Sequence, residues 1–268
     1  NNRSIVVYAN KDKVKNLLIY DAVNKILNKN KILAPKLINQ NYKNNYIEVE
    51  DFGDNTLFKV LKHNKTNKEL FFRKILKTLS RLQLIKDKQV VNLNRQKYKV
   101  QKYDNKILLN EAKLFSEWYA TRKINKFKIR KFKKVFENEV KKLLSKLNFK
   151  NDTFVHRDFH VSNLMYVKNN IAVIDSQDAL IGNKAYDLAS LVDDVRFETS
   201  NKLKNKILNN YFKKLKKTEI NKFVNDFEIL SVLRNLKIIG IFTRLALRDN
   251  KKKYVKMIPY AWEMINYR

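Results

Sequence analysis

The residues best equipped for chemistry lie between positions 153 and 178, in the run Thr-Phe-Val-His-Arg-Asp-Phe-His-Val-Ser-Asn-Leu-Met-Tyr-Val-Lys-Asn-Asn-Ile-Ala-Val-Ile-Asp-Ser-Gln-Asp. Asp158 is a carboxylate that can orient or deprotonate a hydroxyl. Asn163 follows in the same loop and Asp175 closes the run beyond it. An amide oxygen and a carboxylate oxygen together suit Mg2+, a hard cation that keeps several waters and takes only one or two protein ligands besides phosphate. A hydroxyl-orienting acid beside such a pair is the equipment of phosphoryl transfer, whose loose transition state asks for position and positive charge more than for covalent help.

For the three to act together the chain must fold back. The short apolar, β-branched runs 164–167 and 171–174, around Lys168, Asn169 and Asn170, predict a hairpin whose turn tolerates positive φ. It sets Asn163 at its entrance beside Asp175 at its exit. His156 and Arg157 read as braces of the loop. The offsets of Asp158, Asn163 and Asp175 are those of the kinase catalytic loop H-R-D-x-x-x-x-N and of the metal-binding aspartate after it. Beyond Asp175, Ser176 and Gln177 replace the Phe-Gly of a protein kinase, and no Ala-Pro-Glu occurs. Instead the chain passes Gly182 into Ala185-Tyr186-Asp187-Leu188-Ala189-Ser190-Leu191, where Asp187 is expected to cap a new helix. Without a long segment to dock a protein, a small-molecule acceptor is favoured.

The surrounding elements follow from periodicity. Residues 3–9 read as a strand, 12–27 as a helix, and 36–41 and 46–50 as two strands meeting at Asn44-Asn45. Glu50-Asp51-Phe52-Gly53-Asp54 then stands where a kinase hinge would, with backbone groups of Glu50, Asp51 and Phe52 to hold adenine, Gly53 to turn, and Asp54 or Asn55 to cap the next helix. Helices are predicted over 69–84, 110–124, 132–147, 204–215, 219–247 and 256–267. The expectation is an α+β, two-lobed, protein-kinase-like fold: residues 1–53 a partial, β-rich N-lobe and hinge, residues 54–268 a helical C-lobe with the catalytic loop and metal site.

Bulk properties bound the function. With 268 residues and 44% hydrophobic content, the chain can bury a real core. It has no cysteine, which excludes disulfides and thiolate metal sites and accords with a cytoplasmic setting. No apolar run reaches the ~20 residues of a membrane span, and no signal peptide shows. The net charge of +32 points on its face to nucleic acid or an anionic membrane. Yet the lysines are scattered through every predicted helix among Asn and Ile, as compositional drift would leave them, so neither is expected as the primary partner.

These motifs together resemble the aminoglycoside phosphotransferase and choline kinase superfamily. His-Arg-Asp-Phe-His-x-x-Asn-Leu-Met (156–165), Ile-Asp-x-Gln-Asp-Ala (174–179), Ala-Tyr-Asp-Leu-Ala-Ser-Leu (185–191), Leu-Phe-Ser-Glu-Trp-Tyr (114–119) and Arg-Asn-Leu-Lys-Ile-Ile-Gly-Ile-Phe-Thr-Arg-Leu (234–245) are most similar to its bacterial N-acetylmuramate and N-acetylglucosamine anomeric kinases, which serve peptidoglycan recycling. The resemblance implies ATP as phosphoryl donor, Mg2+, and a sugar or other alcohol as acceptor. It implies Asp158 as catalytic base, Asn163 and Asp175 as metal ligands, and Asp187 as a buried brace of the loop. Gln177, Asp178, Arg234 and Arg244 become candidates for the acceptor site.

The chain departs from the family at Ser176, where an aromatic is usual, and at Asn183, where Pro is usual. The strand at 5–9 holds no lysine for the phosphates and nothing resembles a glycine-rich loop, only three glycines being present. Arg3 is one substitute. The sequence reads as a fragment lacking its true N-terminus, the alternative being a degraded phosphate clamp. Rival functions are an aminoglycoside, choline, homoserine or other alcohol kinase, a non-catalytic nucleotide-binding protein, and a nucleic-acid binder.

Overall fold

The computed structural model describes residues 3–63, 66–92 and 95–268. Three strands, β1 (Ser4–Tyr8), β2 (Leu37–Asn41) and β3 (Tyr46–Glu50), form an antiparallel sheet in the order β1-β3-β2. Ile5 lies opposite Val49 and Val7 opposite Ile47. The alternation turns Ile47 and Val49 onto Leu17 of the helix α1 (Val14–Lys29), which makes a small core of its own. Lys11–Lys13 form a 3-10 turn, so α1 starts two residues later than its periodicity predicts. Asn45, at φ 59°, closes the β2–β3 turn in the left-handed conformation that Asn tolerates.

Gly53 turns the chain out of β3 at φ 75°. The next helix, expected after the hinge without a stated extent, is the short α2 (Leu57–Lys62). Its cap is neither Asp54 nor Asn55 but Thr56, whose side chain accepts from the Lys59 amide at 3.3 Å. The Asn55 backbone carbonyl accepts from the Tyr166 amide at 2.9 Å, which joins this turn to the strand at 164–167. Then α3 (Lys68–Gln83) buries Phe72, Ile75, Leu76, Leu79 and Leu82. A short hairpin follows, β4 (Gln89–Val91) with β5 (Lys97–Lys99), whose three-residue strands are too short to show an alternation.

The helical part begins with α4 (Asn105–Leu114), capped by Asp104, which accepts from Ile107 at 2.9 Å. It therefore starts five residues before the predicted boundary at 110. It runs into a π-helical turn, Phe115–Tyr119, and then α5 (Ala120–Lys123). Asn125 caps α6 (Lys126–Ser145), so this helix too starts earlier than predicted. Four short strands follow: β6 (Thr153–Val155), β7 (Leu164–Val167), β8 (Asn170–Val173) and β9 (Leu180–Gly182), pairing β6 with β9 and β7 with β8. Finally come α7 (Tyr186–Val192), α8 (Asn201–Phe212), α9 (Lys217–Arg248) and α10 (Ile258–Tyr267).

A single large core joins α1 and α3 to the helical part. The long α9 packs against α4, the π turn, α7 and α10. It crosses α4 at Gly240, where a Cβ would stand 2.3 Å from the Leu114 carbonyl carbon. Small sheets thus occupy the N-terminal part and helices dominate the C-terminal part, as expected of a kinase-like α+β chain.

Candidate active site

The loop that carries Asp158 is held from below by Asp187. The Asp187 carboxylate accepts from the His156 amide at 2.7 Å and the Arg157 amide at 2.9 Å. It lies inside α7 and braces this loop instead of capping its own helix, which corrects the predicted cap. Burial pushes its carboxyl up to about 6, against the pull of His156 and of the two amides. His156, fully buried, donates from Nε2 to the Ile174 carbonyl at 3.0 Å and so ties the loop to the end of the β7–β8 hairpin. Arg157 takes φ 72°, and its guanidinium reaches the Asp178 carbonyl at 3.1 Å and the Glu111 carboxylate.

The hairpin has the anticipated form. Lys168 (φ 44°) and Asn169 (φ 67°) make a two-residue turn of the kind whose twist matches the strands. Asn163 and Asp175 end up side by side: Asn163 Nδ2 lies 3.4 Å from Asp175 Oδ2 and donates to the Asp158 carbonyl at 3.1 Å. With Nδ2 so engaged, Asn163 Oδ1 is the oxygen left to receive a cation. Asp175 is exposed, takes φ 62°, and accepts from Gln177 Nε2 at 2.9 Å. Among the described residues no group of three or more His, Cys, Asp or Glu side chains is placed to hold a metal. One carboxylate and one amide oxygen fit Mg2+, which needs no larger protein cage. Ser176 turns inward, donating to Asn24 Oδ1 at 2.6 Å, so a hydrogen bond to α1 occupies the place of the usual aromatic. Asn183 donates to Asp226 at 2.7 Å and accepts from the Ala185 amide at 2.9 Å.

Two clefts meet at this pair. The first, of 690 Å³, runs between the sheet and the hairpin and is lined by Glu50, Asp51, Phe52 and Gly53 as well as Asn163, Asp175 and Gln177. The Glu50 amide donates to the Lys36 carbonyl at 2.9 Å and that of Asp51 to Arg3 at 3.1 Å. Among the described residues the Phe52 amide has no such partner and is left for a ligand. Ile5, Val7 and Val49 give this cleft an apolar wall, and Lys13 and Lys59 are the cations that line it, whereas Arg3 does not.

The second cleft, of 530 Å³, shares Asn163 and Asp175 with the first and adds Asp158, Asp178, Arg196 and Lys237. Among the described residues no hydrogen bond reaches the Asp158 carboxylate, so it is free to accept one from a hydroxyl. Burial acts to raise its carboxyl, but the charges of Lys237 and Arg234, helped by His160 and His156, outweigh burial and hold it below its ordinary value. Burial drives the His160 ring down to about 4, which leaves it neutral at pH 7. Glu111 accepts from Lys237 Nζ at 3.0 Å, from Arg157 and from the Tyr103 hydroxyl. These partners overcome the opposing effect of burial and keep its carboxyl below the ordinary range.

The structure thus brings Asp158, Asn163, Asp175, Gln177 and Asp178 together and sets Glu50, Asp51 and Phe52 on the first cleft. Arg234 lies buried behind the second cleft, close enough to act on Asp158 but lining neither cavity. Arg244 also lines neither cleft and stands nearer Asp249. Sequence reasoning missed Glu111, Arg196 and Lys237. Lys237 had a signal, as the last residue of the Arg-Asn-Leu-Lys run from which Arg234 was chosen. Glu111 and Arg196 had none, since only the crossing of α4 and α9 and the loop after α7 bring them in.

Comparison with known proteins agrees with this geometry. Residues 9–219 match the phosphotransferase enzyme family, APH. An N-acetylmuramate/N-acetylglucosamine kinase of Neisseria meningitidis serogroup B is 34% identical over 171 residues, 62% of this chain and 50% of that protein. One of Pseudomonas aeruginosa is 28% identical over 236 residues, 84% of this chain and 65% of its own. The chain therefore spans about half to two thirds of the length of these relatives. Among solved structures, the gentamicin complex of the aminoglycoside phosphotransferase APH(2″)-IIa superimposes with a TM-score of 0.66 at 16% identity, covering 98% of this chain and 87% of that one. A Plasmodium vivax ethanolamine kinase gives 0.62 at 16% identity, with 99% and 76% covered. At such identity the likeness is one of fold.

Proposed function

The chain belongs to the phosphotransferase enzyme family, and we propose that it is a kinase that moves the γ-phosphoryl group of ATP, with Mg2+, to a hydroxyl of an N-acetylated amino sugar. N-acetylmuramate or N-acetylglucosamine, phosphorylated at the anomeric position, is the acceptor in this reading, and the cytoplasm is where it acts. The observation that carries it is the junction of two clefts at Asn163 and Asp175, with the unengaged Asp158 carboxylate opening on the second.

In this reading the first cleft takes the nucleotide. Adenine lies against the 50–52 backbone, where the Phe52 amide is the available donor, and Lys13 and Lys59 face the phosphates. Asn163 Oδ1 and the Asp175 carboxylate hold Mg2+, which neutralises charge on the transferring group when bound. Asp158 accepts the hydrogen of the acceptor hydroxyl and aims its oxygen at the γ-phosphorus for in-line transfer. Its low carboxyl keeps it ionised, an orienting base more than a strong one. His156 and Asp187 hold the loop so that this aim is kept between turnovers.

Mg2+-dependent ATP turnover, compared across N-acetylmuramate, N-acetylglucosamine, an aminoglycoside and choline, tests the proposal. Turnover on the amino sugars, lowered about 10²–10⁴-fold in Asp158→Ala with nucleotide affinity little changed, is the expected result. An unchanged rate in that variant, or turnover on none of the four, would overturn it.

A further inference from the structure

We propose that the second cleft carries a subsite for a carboxylate on the acceptor, formed by Arg196 and Lys237 with Arg234 behind them. The inference rests on the kinase reading above and narrows its acceptor to an acidic sugar.

Arg196 and Lys237 line the second cleft and not the first. The transferred phosphoryl group passes where the clefts meet, at Asn163 and Asp175. The two cations therefore stand with Asp158 on the acceptor side of that junction. Neither belongs to the solvated lysine coat of this very basic chain: the Lys237 side chain is 13% exposed and that of Arg196 29%. Arg196 is anchored through its amide and Nη1 to Asp194 Oδ1, at 3.2 and 3.3 Å. Among the described residues its Nε and Nη2 have no hydrogen-bond partner, which leaves an edge of the planar guanidinium for a bidentate carboxylate. Lys237 gives one proton to Glu111 at 3.0 Å and keeps two.

Arg234 supplies the independent observation. It is 3% exposed, and its Nη1 is wholly buried with no hydrogen-bond partner. A buried cation without a hydrogen-bonded counter-ion is costly. Arg234 and Arg196 both act on His160, which lines the cleft, so an anion brought in beside Arg196 is attracted by this buried cation as well. Leu114 and Ile241 line the same cavity and suit the methyl groups of an acylated sugar.

N-acetylmuramate carries a carboxylate and N-acetylglucosamine does not, so the ratio of their kcat/KM values reads the subsite directly. In Arg196→Gln that ratio is expected to fall about tenfold or more, as loss of a charge-assisted hydrogen bond requires, with Arg196→Lys in between. Because Asp194 is buried, Arg196→Gln could also weaken the fold. A second measurement therefore uses the unaltered protein: N-acetylmuramate against its carboxamide, whose KM is expected to be about tenfold higher. Equal KM values for acid and amide, or an unmoved ratio in a folded Arg196→Gln, overturn the subsite while the kinase reading stands. Turnover of neither sugar defeats the amino-sugar reading, and the subsite with it.

Discussion

Glu111 shows how much of the site depends on one side chain that touches no reacting atom. It neutralises Arg157 and Lys237 and takes the Tyr103 hydroxyl, with its own side chain 14% exposed. Glu111→Gln leaves two cations facing a neutral amide, and loss of one partner from a buried ionic group costs about 3–5 kcal/mol. Urea unfolding at pH 7 should show a loss of that order. The pH dependence follows in sign. The folded Glu111 carboxyl is lowered, burial being outweighed by Lys237 and Arg157, so the stability it contributes is present above the unfolded carboxylate value of about 4.3. It is lost as pH falls through the lower, folded value. The unaltered protein should therefore lose stability more steeply below pH ~4 than Glu111→Gln does, measured as unfolding midpoints against pH.

At the scale of elements, the site depends on how closely α4 and α9 approach. Gly240 permits it, since a Cβ there would meet the Leu114 backbone at 2.3 Å and the Phe115 nitrogen at 2.6 Å, atoms that cannot rotate away. Gly240→Ala should destabilise by about 1–3 kcal/mol or more, the cost of overpacking. It should also lower kcat by separating Glu111 from Lys237. Melting temperature and turnover together check this. The π turn at Phe115–Tyr119 begins beside the same crossing, where an altered backbone period often marks a functional region. Nothing in the local sequence announced either feature. What was legible were devices written in adjacent residues: the alternation of β3, the Lys168-Asn169 turn, and the offsets that set Asn163 beside Asp175. The α4 and α6 starts were misjudged because the caps at Asp104 and Asn125 precede the apolar stripes from which the helices were read. Glu111, Arg196 and Lys237 converge only through tertiary packing, which periodicity does not encode.

Across the whole molecule, Asp193 gathers the helical part. Just after α7, it accepts from Lys204 of α8 at 2.8 Å, Ser231 of α9 at 2.7 Å, and Arg268, following α10, at 2.9 and 3.2 Å. Asp193 and Lys204 have fully buried side chains. Asp193→Ala should therefore cost about 3–5 kcal/mol, the price of an uncompensated buried charge, and lower the urea midpoint without altering which acceptor is used. The two clefts, finally, have walls in common at Asn163 and Asp175, and occupants that share a wall are not thermodynamically independent. If nucleotide tightens the acceptor by some factor, the acceptor must tighten nucleotide by the same factor, a reciprocity that holds for any coupled pair of sites and commonly amounts to about 5–150-fold. Titrating each ligand in the presence and absence of the other should return one number twice. A factor of one in both directions would show that the shared residues divide the cavities without joining them.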